Sequence, residues 1–227
     1  MGYSLLFLVV GMGTQVATAL LLFEINNKKS LKFYQTCLQF PRFMSWVIVG
    51  YITYALFNPA YGVLNQVLVA LGIERIDVYS DYKYWPLILT VCTVWKSLGG
   101  GCIMYYAALM GIDAQLYEAA AIDGATRWQQ TKHISIPSLV SICCIMGILE
   151  IGGLFSGDFG LFYQIPRNIG GLYPTTDIIN TYVYRGLNSA NFGASSAVGL
   201  TQSILGLVMV SLANGIVKKV SPENSMF

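Results

Sequence analysis

Two charged residues sit inside otherwise apolar runs: Lys96 within residues 85–105 and Glu150 within 137–155. A charge deep in a bilayer costs about 2.5–3.5 kcal/mol on insertion scales, so such groups face a cavity, a partner or the interface. At 1.5 Å per helical residue, Lys96 falls roughly 16 Å and Glu150 roughly 12 Å from the outer boundary. These depths allow an ion pair, or two charges lining one central path. Equally, Lys96 can snorkel and Glu150 can lie near the outer interface. Trp46, Tyr51, Tyr54, Trp95 and Tyr105 are aromatics able to stack on the ring faces of a solute, or to pack and anchor helices. Gly99, Gly100 and Gly101 read as a close helix contact or as a broken helix beside a substrate. Enzymatic chemistry has little support. The lone His133 has no carboxylate or cysteine arranged around it, and Cys37, Cys92, Cys102, Cys143 and Cys144 show no metal-site spacing. Asp158-Phe159-Gly160 lacks the glycine-rich and catalytic loops of a kinase. There is no P-loop, HExxH or GxSxG motif, so no catalytic residue, metal or cofactor is implied.

The elements that must position these residues follow from composition. Of 227 residues only 11% are charged and 55% are hydrophobic, with a net charge of +2. An ordinary soluble domain carries roughly 25% charge. The balance excludes a soluble globule, a disordered chain and a basic nucleic-acid binder, and leaves the lipid bilayer as the chain's surroundings. Five stretches reach the roughly 20 apolar residues of a membrane span: about 3–23, 43–61, 85–105, 137–155 and 195–217. The first has no basic residues ahead of it, and Lys28, Lys29 and Lys32 follow it, so it reads as a span rather than a cleaved leader. The fold class expected is therefore all-α integral membrane with five spans, a single transmembrane domain over 1–227.

Loop charges orient it. One side holds Lys28, Lys29, Lys32, Arg42, Arg127, Lys132, Lys218 and Lys219; the other holds Arg75, Lys83, Arg167 and Arg185. The richer side is cytoplasmic, which makes the C-terminus cytoplasmic and the chain a multi-pass protein of the cell membrane. Outside, Gly62–Leu71 reads as a short interfacial helix, because Val63, Leu64, Val67, Leu68 and Leu71 share a face. Residues 156–194 form a long connection rich in aromatics, with Thr175 and Thr176 as expected helix caps.

The cytoplasmic loop 111–136 has its own logic. Asp113 can cap a helix over Gln115–Ala121, and Asp123-Gly124 breaks it. Asp123 is expected to cap a second helix, Ala125–His133. Pro137 suits the entry to the following span, where a missing N–H costs little. Small Ala119, Ala120 and Ala121 allow a partner to approach closely.

Glu118-Ala119-Ala120, Asp123-Gly124-Ala125 and Ile134-Ser135-Ile136-Pro137 resemble the "EAA" loop of binding-protein-dependent ABC importer permeases. Glu-Ala-Ala, the glycine six residues after that glutamate and the proline nineteen after it all match; Thr131 stands where the family prefers an aromatic. Residues 95–100, 106–113, 158–164 and 177–185 are similar to the oligosaccharide-permease branch, and the likeness runs from about 3 to 217. It implies a transport subunit, not an enzyme, which pairs with a second permease above two ABC ATPase subunits. An extracytoplasmic solute-binding protein would deliver a sugar, and an oligosaccharide fits that branch best. Glu118, Ala119, Ala120, Asp123, Gly124 and Ala125 would form the ATPase-docking element, with Ile134 and Pro137 anchoring it to the next span. Such permeases have six spans, so one N-terminal span is expected to be missing here. The alternatives are a permease for a non-sugar solute and, further off, a membrane-embedded enzyme.

Overall fold

The structure is a computed structural model describing residues 2–154 and 157–220. Every element among them is helical. Four helices are long and apolar enough to cross a membrane: Gly2–Phe23, Tyr82–Met110, Arg127–Gly152 and Phe192–Gly215. They correspond to the expected first, third, fourth and fifth spans, with shifted ends. The expected 43–61 span is different. Its helix covers only Trp46–Phe57, about 18 Å long against a hydrocarbon core of roughly 30 Å. It reaches the length and apolarity of a span only together with Lys28–Phe43, across a break. Pro41 lies in the 3-10 turn Phe40–Phe43 before that break, and the Ser45 hydroxyl accepts the Ile48 N–H to start the helix again.

The chain divides into two compact units. One has its described residues within 6–43, 94–152 and 208–227. It contains most of α1 (Gly2–Phe23), all of α2 (Lys28–Gln39) and, of the later helices, residues 94–152 and 208–220. Its core is Ala19, Leu22, Cys102, Tyr105, Leu109 and Leu139, all buried. The three consecutive glycines explain how its helices approach. A β-carbon on Gly99 would overlap the Leu38 carbonyl, one on Gly100 the Arg42 guanidinium, and one on Gly101 the Gln15 amide. Helix continues through all three positions. Close packing is therefore the reading the structure supports, and the broken-helix alternative falls away.

The other unit lies within 1–5, 44–93 and 153–207. It includes α3 (Trp46–Phe57), α4 (Val63–Ala70) and the start of α5 (Trp85–Met110). Helix α4 lies where the apolar face of Gly62–Leu71 predicts a short helix. Asn65 is buried and clips the connection after it: Oδ1 accepts the Ile76 N–H at 2.9 Å, and Nδ2 donates to the Ile76 carbonyl at 2.9 Å. Trp85 is fully buried and donates from Nε1 to the Val78 carbonyl at 3.0 Å. Tyr79 meets the rings of Tyr54 and Trp85 edge-on, and its burial pushes the phenol well above its ordinary pKa.

Candidate functional site

Three short-range devices build the loop at 111–136. Asp113 Oδ1 accepts the Gln115 N–H at 2.9 Å, starting α6 (Ala114–Ile122). That helix closes over Gly124, whose φ of 79° lies in the left-handed region, with the Ala125 N–H reaching the Ala120 carbonyl at 2.9 Å. The chain then restarts at Thr126 through a capping box: the Thr126 hydroxyl accepts the Gln129 N–H, and Gln129 Oε1 accepts the Thr126 N–H at 2.7 Å. Thr126, rather than Asp123, is thus the cap; Asp123 closes α6, donating its N–H to the Ala119 carbonyl. The reason is reach: Asp123 is still held by the last turn of α6, and Gly124 redirects the chain before a new helix can start.

The second helix also differs from the expected Ala125–His133. It begins as α7 (Arg127–Gln130), passes through a π-helical turn at Thr131–Ser135, and continues as α8 (Ile136–Gly152). Pro137 therefore lies inside a continuous helix and not at its entry. Proline removes one helical N–H and crowds the carbonyl four residues back, and the wider turn immediately before it accommodates both effects. The loop's second half is thus one rigid piece with a candidate span. A hydrogen bond between Tyr117 and Ser135, 2.9 Å between oxygens, ties α6 to that piece.

Glu118, Ala119, Asp123, Gly124 and Pro137 are exposed, while Ala120, Ala125 and Ile134 are half-buried. Ala120, Asp123, Gly124, Ala125, Gln129, Gln130, His133 and Ile134 line a shallow cleft. His133 Nδ1 lies 3.0 Å from the Gln129 carbonyl of its own helix. Ile122, 87% exposed, and Trp128, 71% exposed, are neighbours in sequence of the lining residues Asp123 and Gln129. These two apolar side chains were not singled out in the sequence. Their signal was available, since large apolar residues in a short polar loop have no core to enter. A loop that exposes large apolar side chains beside a cleft partly walled by Ala120, Gly124 and Ala125 is suited to binding another protein.

The charges inside the spans are placed separately. Lys96 Nζ donates to the Arg42 carbonyl at 3.1 Å, and Glu150 is exposed. No ion pair joins them; Arg185–Asp177, at 2.6 Å, is an ion pair among the described residues. Arg42, counted above with the loop charges, lies instead beside the middle of α5. Tyr105 is 1% exposed and belongs to the core, so it presents no face to a solute, while Trp95 is 41% exposed.

The remaining aromatics gather around the 156–194 connection; residue 156 of it, and residue 155 at the end of the expected 137–155 span, lie outside the described residues. Asp158 Oδ2 accepts the Trp46 Nε1–H at 2.7 Å, and its Oδ1 caps α9 (Phe159–Gln164) at the Leu161 N–H. A β-carbon on Gly50 would stand 2.9 Å from the Gln164 carbonyl, so glycine there lets α3 and α9 touch. Beyond α9, Arg167 and Asn168 both take left-handed conformations, φ 57° and 51°. The Arg167 guanidinium lies 4.2 Å from the Tyr54 ring centre and 5.7 Å from that of Tyr51. Thr175 and Thr176 are not caps as expected. They end the single helical turn α10 (Tyr173–Thr176) and donate to the carbonyls of Tyr82 and Leu172. In α11 (Ile179–Asn188), Arg185 pairs with Asp177, and this hydrogen bond raises its pKa further. Nothing in the sequence distinguishes Arg167 from the other loop cations, because its rings come from residues more than a hundred positions away.

The family model described as "Binding-protein-dependent transport system inner membrane component" matches residues 15–222. The chain is 35% identical over 209 residues to the polygalacturonan/rhamnogalacturonan transport system permease protein YteP of Bacillus subtilis (strain 168), covering 92% of this chain and 64% of that one. It is 34% identical over 206 residues to protein LplB of the same organism, covering 90% and 64%. The chain thus spans just under two thirds of the length of these relatives. A chain in the crystal structure of a bacterial alginate ABC transporter, in complex with an alginate pentasaccharide-bound periplasmic protein, is similar with a TM-score of 0.91 and 31% identity. That match covers 97% of this chain and 76% of the other.

Proposed function

The chain belongs to the family of binding-protein-dependent transport system inner membrane components, and from that premise we propose that it is a membrane-spanning subunit of an ATP-driven importer for a saccharide. Its role is transport, with ATP hydrolysis carried out by ABC ATPase partners. A second permease subunit completes the pathway, and an extracytoplasmic solute-binding protein delivers the sugar. The saccharide class is brought to this chain from similar proteins named for polygalacturonan/rhamnogalacturonan and alginate transport. The C-terminus and the 111–136 loop face the cytoplasm, in keeping with the lysine and arginine bias of the loops.

The observation that carries this reading is the joining of the 111–136 loop to a long apolar helix. Glu118, Ala119, Ala120, Asp123, Gly124 and Ala125 present the docking surface, and Ile134 and Pro137 belong to the helix running from Arg127 to Gly152. A push on the loop by an ATPase is transmitted along this helix rather than absorbed in a flexible hinge. Trp46, Tyr51 and Tyr54 are assigned to the substrate path. Lys96, Glu150 and Trp95 are assigned there as subsidiary members, and Tyr105, buried in the core of its own unit, as a packing residue.

The test is co-expression with the neighbouring gene products, followed by reconstitution and measurement of ATP-dependent uptake of labelled oligosaccharides. Stable co-purification with an ATPase and a second permease, with uptake that requires the solute-binding protein, is expected. Uptake that persists without ATP or without the ATPase would sink the reading. Preferential uptake of a non-sugar solute would favour the alternative permease assignment.

A further inference from the structure

We propose that the cleft between α3 and the segment after α9 is a carboxylate-recognition site. Arg167 would select negatively charged, uronate-type saccharides over neutral ones. This deepens the importer reading and rests on it.

The cleft is lined by Val47, Tyr51, Tyr163, Gln164, Arg167 and Asn168, with Gly50 at its floor. Arg167 is exposed, and no carboxylate of the described residues lies within ion-pair distance of it. It is held instead over the Tyr54 and Tyr51 rings. A guanidinium held against aromatic rings can still form the two parallel N–H hydrogen bonds that fit a carboxylate. Arg185, by contrast, is already paired with Asp177, and its guanidinium lies over the Tyr173 ring at 4.4 Å.

The surroundings suit a sugar acid. Tyr51 is 64% exposed and offers a ring face for the C–H side of a pyranose. Tyr163, Gln164 and Asn168 bring hydroxyl and amide groups to the same cleft. The loop is held in a costly conformation to do this. Arg167 has a positive φ at roughly 1–2 kcal/mol, and Asn168 beside it lies in the same region, which asparagine tolerates better. The conformation is fixed by Tyr173, whose hydroxyl donates to Asn168 Oδ1 at 3.0 Å, and by Arg185 Nη1 donating to the same oxygen at 3.5 Å. Strained backbone held by its surroundings is characteristic of functional positions. Here it carries the cation back over α3.

The test uses the complete transporter in proteoliposomes, with ATPase, second permease and solute-binding protein present. The probes are labelled trigalacturonate and trimannuronate, each beside its methyl ester, which keeps size and ring but removes charge. For the wild type, uptake of an acid form is expected to exceed that of its ester. Arg167→Gln is expected to lower the acid-to-ester ratio at least tenfold. Arg167→Lys keeps the charge but loses the planar fork, and is expected to fall between them. Co-purification of all subunits confirms assembly of each variant. A purely structural role would lower both forms together and leave the ratio unchanged, and that result overturns the proposal. Wild-type uptake of esters or neutral oligosaccharides in preference to acids also overturns it, while leaving the importer reading standing. An assembled transporter that takes up no saccharide at all removes the importer reading and this inference with it.

Discussion

Gly124 offers the sharpest test of the coupling loop, because its environment separates backbone strain from steric clash. Its φ is 79°, and a β-carbon built there meets nothing within 4 Å. Substitution therefore acts almost wholly through backbone conformation. Holding an ordinary L-residue in the left-handed region costs roughly 1–2 kcal/mol, with 1.4 kcal/mol corresponding to a factor of ten. A loop that must keep this turn to dock would lose about 5- to 30-fold in docking-competent population. Asparagine tolerates the conformation through local hydrogen bonds, whereas a β-branched side chain tolerates it worst. The expected order of coupling is Gly, then Asn, then Ala, then Val. Gly124→Asp should fall below Gly124→Asn, because it adds a negative charge beside exposed Asp123. The assay is stimulation of ATPase activity by the loaded solute-binding protein in the reconstituted transporter, read beside uptake. If Gly124→Val kept full stimulation, or if Asn and Val lowered it equally, the turn would not be the coupling determinant.

Other outcomes follow from the packing. Gly99→Ala should destabilise the permease by about 1–3 kcal/mol, because its β-carbon overlaps the backbone carbonyl of Leu38; a thermal melt should show a larger drop than any Gly124 variant. Asn65→Ala should cost about 1–3 kcal/mol in all, since both backbone polar groups of half-buried Ile76 are bound by buried Asn65; unchanged melting would contradict this. Thr126→Ala removes the capping box and should cost about 1 kcal/mol, detectable as faster amide exchange at Arg127–Gln130. Asp158→Leu should weaken the α3–α9 contact more than Asp158→Asn, which keeps an acceptor for Trp46 and for the Leu161 N–H. Limited proteolysis of the 157–176 segment would rank the two.

The positions of the long helices and the loop at 111–136 were readable because their signals are local. Apolar length marks Gly2–Phe23 and Phe192–Gly215, and the Asp113 cap and the Asp123-Gly124 break mark α6. Errors arose where a local signal has two structural solutions. Pro41 and Ser45 permit either a continuous stretch or a break, and contacts at Gly99 and Gly100 with Leu38 and Arg42 accompany the broken form. Pro137 marks a helix start by propensity, yet the π turn before it allows the helix to run through.

By itself, the sequence determined that this chain is helical, belongs in a bilayer and breaks at Asp123-Gly124 within the 111–136 loop, because hydropathy, capping residues and motif spacing act over a few turns of chain. Only tertiary structure decided which residues meet. It put Lys96 on the Arg42 carbonyl rather than on Glu150, sent Tyr105 into the core, and laid Arg167 across Tyr51 and Tyr54. Those pairings join positions far apart in the chain, and their geometry depends on how closely helices pack at glycines such as Gly50.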